Sequence, residues 1–242
     1  MGQWIEIQGA GLEGFSAYLA LPHGGTGPGL LLLQEIWGVN RHIRELAAQF
    51  AAEGFVVLAP DVFWRSQRRV DLAYDAAGTA QARALYQALD IAQARADLGA
   101  ALEALGDLPQ VDGRLGVVGY CMGGKLAYEL GDHPRLSAGV SYYGSAIAET
   151  VQRVSRLACP YLFHFASDDQ LIDLAQMRLL QPLMARSGEV SFEIHQGVGH
   201  GFACPERPAY AMRAALSAKA TTLWFLGDCL LSETPRSLHE PL

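Results

Sequence analysis

In Leu115-Gly-Val-Val-Gly-Tyr-Cys-Met-Gly-Gly-Lys125 a short apolar run, 115–118, breaks into Gly119-Tyr-Cys-Met-Gly-Gly124, and a helical pattern follows at once over 125–130. This predicts a strand, a very tight turn and a helix, with a thiol at the apex. The pattern is G-x-S-x-G with cysteine in place of serine, the form of a nucleophile elbow. Its glycines leave room where the turn brings strand and helix together, and the turn forces the apical residue into a strained conformation that lifts its side chain off the sheet. The helix starting there points its free N–H groups and positive dipole end at the sulfur, which favours thiolate and anionic intermediates.

Strands and helices alternate outward from this turn. Residues 3–8 and 15–21 read as an opening antiparallel hairpin, and 22–29 as a turn-rich connection. Residues 30–33 are continuously apolar, as in a strand buried on both faces. Asn40 is a natural N-cap for a helix over 41–53. A strand follows at 55–59, then an aperiodic stretch, 62–78, long enough to act as a lid or pocket wall. Residues 79–105 form an Ala-rich helical stretch, read as one helix or two.

Beyond the elbow, strands are predicted at 136–142, 160–165 and 190–194. Helices are predicted at 172–186, kinked at Pro182, and at 208–226. The polar tail 232–242 is expected to be poorly ordered. This order implies an α/β fold with a mainly parallel sheet, an antiparallel N-terminal hairpin and helices on both faces. With no repeat or linker, a single domain over 1–231 is expected.

The composition narrows the class of function. A formal net charge of −7 and a pI near 5.5 argue against nucleic acid or an anionic membrane as partner. No apolar run approaches the length of a membrane span and the start lacks a leader pattern, so a cytoplasmic location is expected. The sequence is compatible with a monomer. Cys121, Cys159, Cys204 and Cys229 are widely spaced and suggest neither a zinc site nor a redox dithiol. His23, His42, His133, His164, His195 and His239 show no ligand spacing with acids or thiols, so no metal and no organic cofactor is expected.

In open α/β sheets the chemistry collects beyond the carboxyl ends of the strands. Four predicted strands end in reactive residues: Glu35, Cys121, Asp168 or Asp169, and His200. The order nucleophile, acid, histidine is that of an α/β-hydrolase triad. The thiolate would attack, the imidazole would take and return a proton, and the carboxylate would hold the ring in one tautomer. Backbone N–H groups of Met122 and Ile36 would form the oxyanion hole. Glu35 reads as a carboxylate near the pocket or as half of a structural ion pair.

These residues resemble the dienelactone hydrolase family. The similarity lies in Gln34-Glu-Ile-Trp-Gly-Val-Asn40, Gly119-Tyr-Cys-Met-Gly-Gly124, Tyr142-Tyr143-Gly144, Asp169 and Gly199-His-Gly-Phe-Ala203, and runs from about residue 5 to 226. The resemblance implies an α/β-hydrolase fold and a triad of Cys121, Asp169 and His200. It chooses Asp169 over Asp168. It gives Glu35 the role of contacting the resting thiol and helping to generate thiolate.

The chain departs from the family where two arginines grip a substrate carboxylate, since Thr79 and Cys204 stand at those positions. Arg83, one helical turn from Thr79, is the candidate substitute. Trp37, Tyr86 and Tyr143 are the candidate pocket aromatics. The expected activity is hydrolysis of a small ester or lactone through an acyl-thioester, with preference shifted toward a neutral substrate. A thioesterase or acyltransferase would use the same triad, and a non-catalytic binding protein could share the fold.

Overall fold

In the computed structural model, which describes residues 2–8, 13–173, 175 and 190–231, the continuous apolar run after the turn-rich connection fills both faces of one sheet. It belongs to β3 (Gly27–Leu33), whose side chains alternate between two cores. Leu30 and Leu32 pack into the first cluster, Leu31 and Leu33 into the second. The period-two geometry of a strand makes this division, so a central strand must be apolar at every position.

The other strands are β1 (Gln3–Ile7), β2 (Phe15–Ala20), β4 (Val56–Pro60), β5 (Val111–Tyr120), β6 (Leu136–Tyr142), β7 (Tyr161–Ala166) and β8 (Val190–His195). The eight-stranded order is β1-β2-β4-β3-β5-β6-β7-β8. Pairings β1–β2 and β2–β4 are antiparallel, and every pairing from β4–β3 through β7–β8 is parallel. The expected mainly parallel sheet with an antiparallel opening hairpin is therefore present.

Helices α1 (Arg41–Ala52) and α5 (Met212–Leu231) cover the first core through Ile43, Phe50, Phe225 and Leu226. Helices α3 (Ile91–Gly106) and α4 (Met122–Leu130) cover the second through Leu98, Leu102 and Leu126. The Asn40 side chain accepts from the Ile43 N–H, the cap that its position suggested.

Several boundaries differ from expectation. The Ala-rich stretch is two helices, α2 (Ala76–Gln87) and α3, because Asp90 caps the second by accepting from the Gln93 N–H. Helix α4 starts at Met122, directly at the elbow rather than three residues on. Helix α5 starts at Met212 because residues 207–211 are held in turns, with the Ala211 N–H bonded to the Phe202 carbonyl. The aperiodic 62–78 stretch is anchored rather than loose: Phe63, Trp64 and Val70 are buried in it. The helix expected over 172–186 and the tail 232–242 lie outside the described residues. No helix among the described residues is long and apolar enough to cross a membrane.

Candidate active site

The turn at the end of β5 has the geometry the glycines imply. Cys121 has φ 55° and ψ −115°, a left-handed conformation that costs a non-glycine residue roughly 1–3 kcal/mol. A Cβ at Gly119 would collide with the Gly123 carbonyl, and one at Gly123 with the Leu33 carbonyl. Strand, turn and the neighbouring β3 end are therefore in backbone contact, and only glycine fits at either position. The Cys121 N–H is tied to the Tyr142 carbonyl at 3.0 Å, which fixes the elbow to β6.

Two further strands deliver the partners. The loop after β8 brings His200 Nε2 to 3.0 Å from the Cys121 sulfur. The loop after β7 brings Asp169 Oδ2 to 2.8 Å from His200 Nδ1. Asp168 instead accepts from the Ser167 hydroxyl and is exposed, so the acid facing the ring is Asp169. The second Asp169 oxygen accepts from the Leu171 N–H at 2.8 Å, which locks the carboxylate. Burial opposes charge on the His200 ring, but the Cys121 sulfur and the Asp169 carboxylate outweigh it and push its pKa up to about 10. The pair thus favours imidazolium beside sulfur at neutral pH.

Cys121 and His200 open onto a cleft of about 440 Å³ lined also by Ile36, Met122, Trp37, Thr79, Arg83 and Tyr86. The two residues expected to supply oxyanion N–H groups therefore face the same space as the sulfur. Met122 is the first residue of α4, where the helix leaves its N–H groups without internal partners. Trp37, Arg83 and Tyr86 stand in the cleft. Tyr143 does not: its φ of 38° turns the ring beneath His200, at 5.1 Å between centroids, and it is fully buried. It packs against the His200 ring and is not among the residues lining the cleft.

Glu35 is placed otherwise than the family role implied. Its carboxylate accepts from the Tyr74 hydroxyl at 2.9 Å and from Arg207 at 3.0 Å, with no hydrogen bond to the thiol. Thr79 and Cys204 carry no charge, but Arg207 joins Arg83 in the cleft lining. It lies three residues past Cys204, lines the cleft, and spreads its guanidinium over the Trp37 ring at 5.1 Å. Tyr74, packed on Trp37 at 4.6 Å, completes that wall. Cys204 is a neutral neighbour, its thiol pushed up to about 12 by burial and by Glu35. Arg207 escaped notice because a position-by-position reading stops at Cys204, although the loop after β8 can turn any nearby side chain back to the cleft. Nothing in the sequence marked Tyr74.

A mainly parallel sheet with helices on both faces, a strained turn carrying Cys121 after a central strand and an acid–histidine pair beyond the next strand ends together define an α/β-hydrolase fold. Residues 15–230 match the model of the dienelactone hydrolase family. The chain is 31% identical over 226 residues to a carboxymethylenebutenolidase of Pseudomonas sp. strain P51, covering 93% of this chain and 94% of that one. It is 31% identical over 223 residues to carboxymethylenebutenolidase 1 of Cupriavidus pinatubonensis, with 92% and 95% covered. A Klebsiella pneumoniae crystal structure classed with dienelactone hydrolases shares the fold, with a TM-score of 0.81, 24% identity and 94% and 99% coverage. This chain belongs to the dienelactone hydrolase family and is a carboxylic ester hydrolase.

Proposed function

We propose that the chain hydrolyses a small ester or lactone through a covalent thioester on Cys121. The observation that carries this reading is the line Cys121–His200–Asp169, at 3.0 and 2.8 Å, laid over a strained elbow at the floor of the cleft. The thiolate attacks the substrate carbonyl, and the N–H groups of Ile36 and Met122 receive the negative charge that develops on its oxygen. The His200 imidazolium gives its Nε2 proton to the departing alkoxide, which leaves as alcohol. For a lactone that alcohol stays attached to the acyl group as the opened ring. His200, now neutral, takes a proton from water, the hydroxide attacks the thioester, and the acid leaves as the sulfur is regenerated. Asp169 holds the ring with Nδ1–H toward itself throughout.

The relatives named carboxymethylenebutenolidase suggest an anionic lactone, and two arginines reach this cleft. Arg207 is already matched by Glu35, however, and Arg83 stands at its exposed rim. A neutral ester is therefore the preferred substrate. The reading carries a small-molecule partner, no nucleic acid and a cytoplasmic setting.

Turnover of a neutral aryl ester and of a carboxylate-bearing dienelactone decides the question, for wild type, Cys121→Ala and Arg83→Ala. The expected result is faster cleavage of the neutral ester, loss of at least ~10⁴-fold in Cys121→Ala on both, and little effect of Arg83→Ala. Retained activity in Cys121→Ala overturns the mechanism. A dienelactone preference that Arg83→Ala removes overturns the substrate assignment alone.

A further inference from the structure

On the face of the sheet beneath α5, at the carboxyl ends of β7 and β8, three donors converge that the proposed reaction does not use. His164 of β7 stands opposite Glu193 of β8 in the parallel ladder, and His195 lies two residues on from Glu193. The period of two puts all three side chains on one side of the sheet. His164 Nδ1 is 3.1 Å from His195 Nε2. Glu193 Oε2 is 3.6 Å from the first nitrogen and 3.7 Å from the second.

Three atoms at those separations lie on a circle of radius about 2.0 Å. Zinc bonds histidine nitrogen at ~2.0–2.1 Å and carboxylate oxygen at ~2.0–2.2 Å. A single ion near the centre of that circle is therefore within bonding distance of all three donor atoms as they stand. We propose that His164, Glu193 and His195 form a binding site for a divalent transition-metal ion of the zinc class.

The surroundings are those of a ligand set. A metal-binding histidine uses its other ring nitrogen to hold its orientation, and His164 Nε2 meets the Thr222 hydroxyl at 2.9 Å. That hydroxyl in turn meets the Tyr142 hydroxyl at 2.7 Å. The second Glu193 oxygen accepts from Thr221 at 2.9 Å. In the tautomer with Nε2–H toward Thr222, His164 Nδ1 carries a lone pair aimed at its two partners. The half-exposed Glu193 gives an ion a way in from solvent. Among the described residues, the other three-donor group, Glu35 with His42 and Cys204, is less suited to a cation, because the Arg207 charge already sits on Glu35.

The sequence showed no such cluster because 31 residues separate His164 from His195, and only the pairing of β7 with β8 brings them together. The ion would pin β8, the edge strand, to β7. The catalytic loop leaves β8 at His195, five residues before His200, so the site is a structural clamp behind the triad. It does not depend on the reaction proposed above.

The test strips the protein with chelator, dialyses it against Zn²⁺ and counts retained metal by elemental analysis, for wild type, Glu193→Gln, His195→Asn and Cys121→Ala. The expected result is one ion per chain in wild type and Cys121→Ala, a melting temperature raised by zinc, and binding at least ~10-fold weaker in Glu193→Gln and His195→Asn. Co²⁺ in the same site is expected to give visible ligand-field bands with no thiolate charge-transfer band. No retained ion, equal retention in Glu193→Gln and His195→Asn, or a thiolate band in the cobalt form would each overturn the proposal, leaving a hydrogen-bonded histidine pair only.

Discussion

His200 is pulled in two directions. Burial would discharge its ring, yet the Cys121 sulfur and the Asp169 carboxylate hold the proton and raise its pKa to about 10. In the mechanism proposed, the His200 proton that goes to the leaving group is then present through the neutral range and is lost as pH climbs through about 10. The pH profile of kcat/KM is therefore expected to stay level through neutrality and fall near pH 10. Asp169→Asn removes one of the influences that raise the pKa, so this alkaline limb moves to lower pH and kcat drops by about 10⁴-fold. A limb that stays in place would show that Asp169 does not set it. The same shift bears on stability. A folded pKa above the unfolded value of ~6.5 contributes stability that is complete below pH ~6.5 and is lost as pH rises through about 10. At this scale the sequence was most legible in the short loops that follow strands, where Glu35, Cys121, Asp169 and His200 lie. It was silent on Arg207 and Tyr74, whose places depend on how loops fold back.

Among the elements, the segment between β4 and α2 shows how an irregular stretch is made firm. Asp97 of α3 accepts from the Trp64 indole at 3.0 Å and from two nitrogens of Arg65 at 2.8 and 2.9 Å. Trp64 in turn stacks on Phe15 of β2 at 5.1 Å. One carboxylate thus ties a loop, a helix and a strand together. Asp97→Ala leaves the buried indole N–H without its acceptor, and a loss of about 1–3 kcal/mol is expected by urea denaturation. Its kcat, measured where the variant is fully folded, is expected to equal that of wild type; a fall would place this loop in the chemistry. Periodicity could not disclose such a segment, because its order comes from contacts with distant residues, Asp97 among them, rather than from a repeating pattern. The break between α2 and α3 was more accessible, since Asp90 is a capping residue in plain view.

For the whole molecule, the two cores lie on opposite faces of one sheet, and the alternating side chains of β3 belong to both. Neither face can lose its helices without stripping strands that the other needs. A single cooperative unit is the expectation, with near-ultraviolet and far-ultraviolet circular dichroism giving the same urea midpoint; two separated transitions would divide the chain into independent parts. The alternation of strand and helix made this architecture legible in outline. The placement of β4 between β2 and β3 was not, because strand order is set by long-range pairing that no local pattern encodes.

The sulfur at the elbow carries a liability along with its reactivity. The Cys121 sulfur faces the cleft beside the His200 ring, so its conversion to sulfenic acid by peroxide needs no unfolding. Aged preparations would then keep their shape and spectrum while losing working molecules. Protein concentration would overstate enzyme concentration, and titration of the reactive thiol, rather than absorbance, is the proper denominator for every rate measured on this chain.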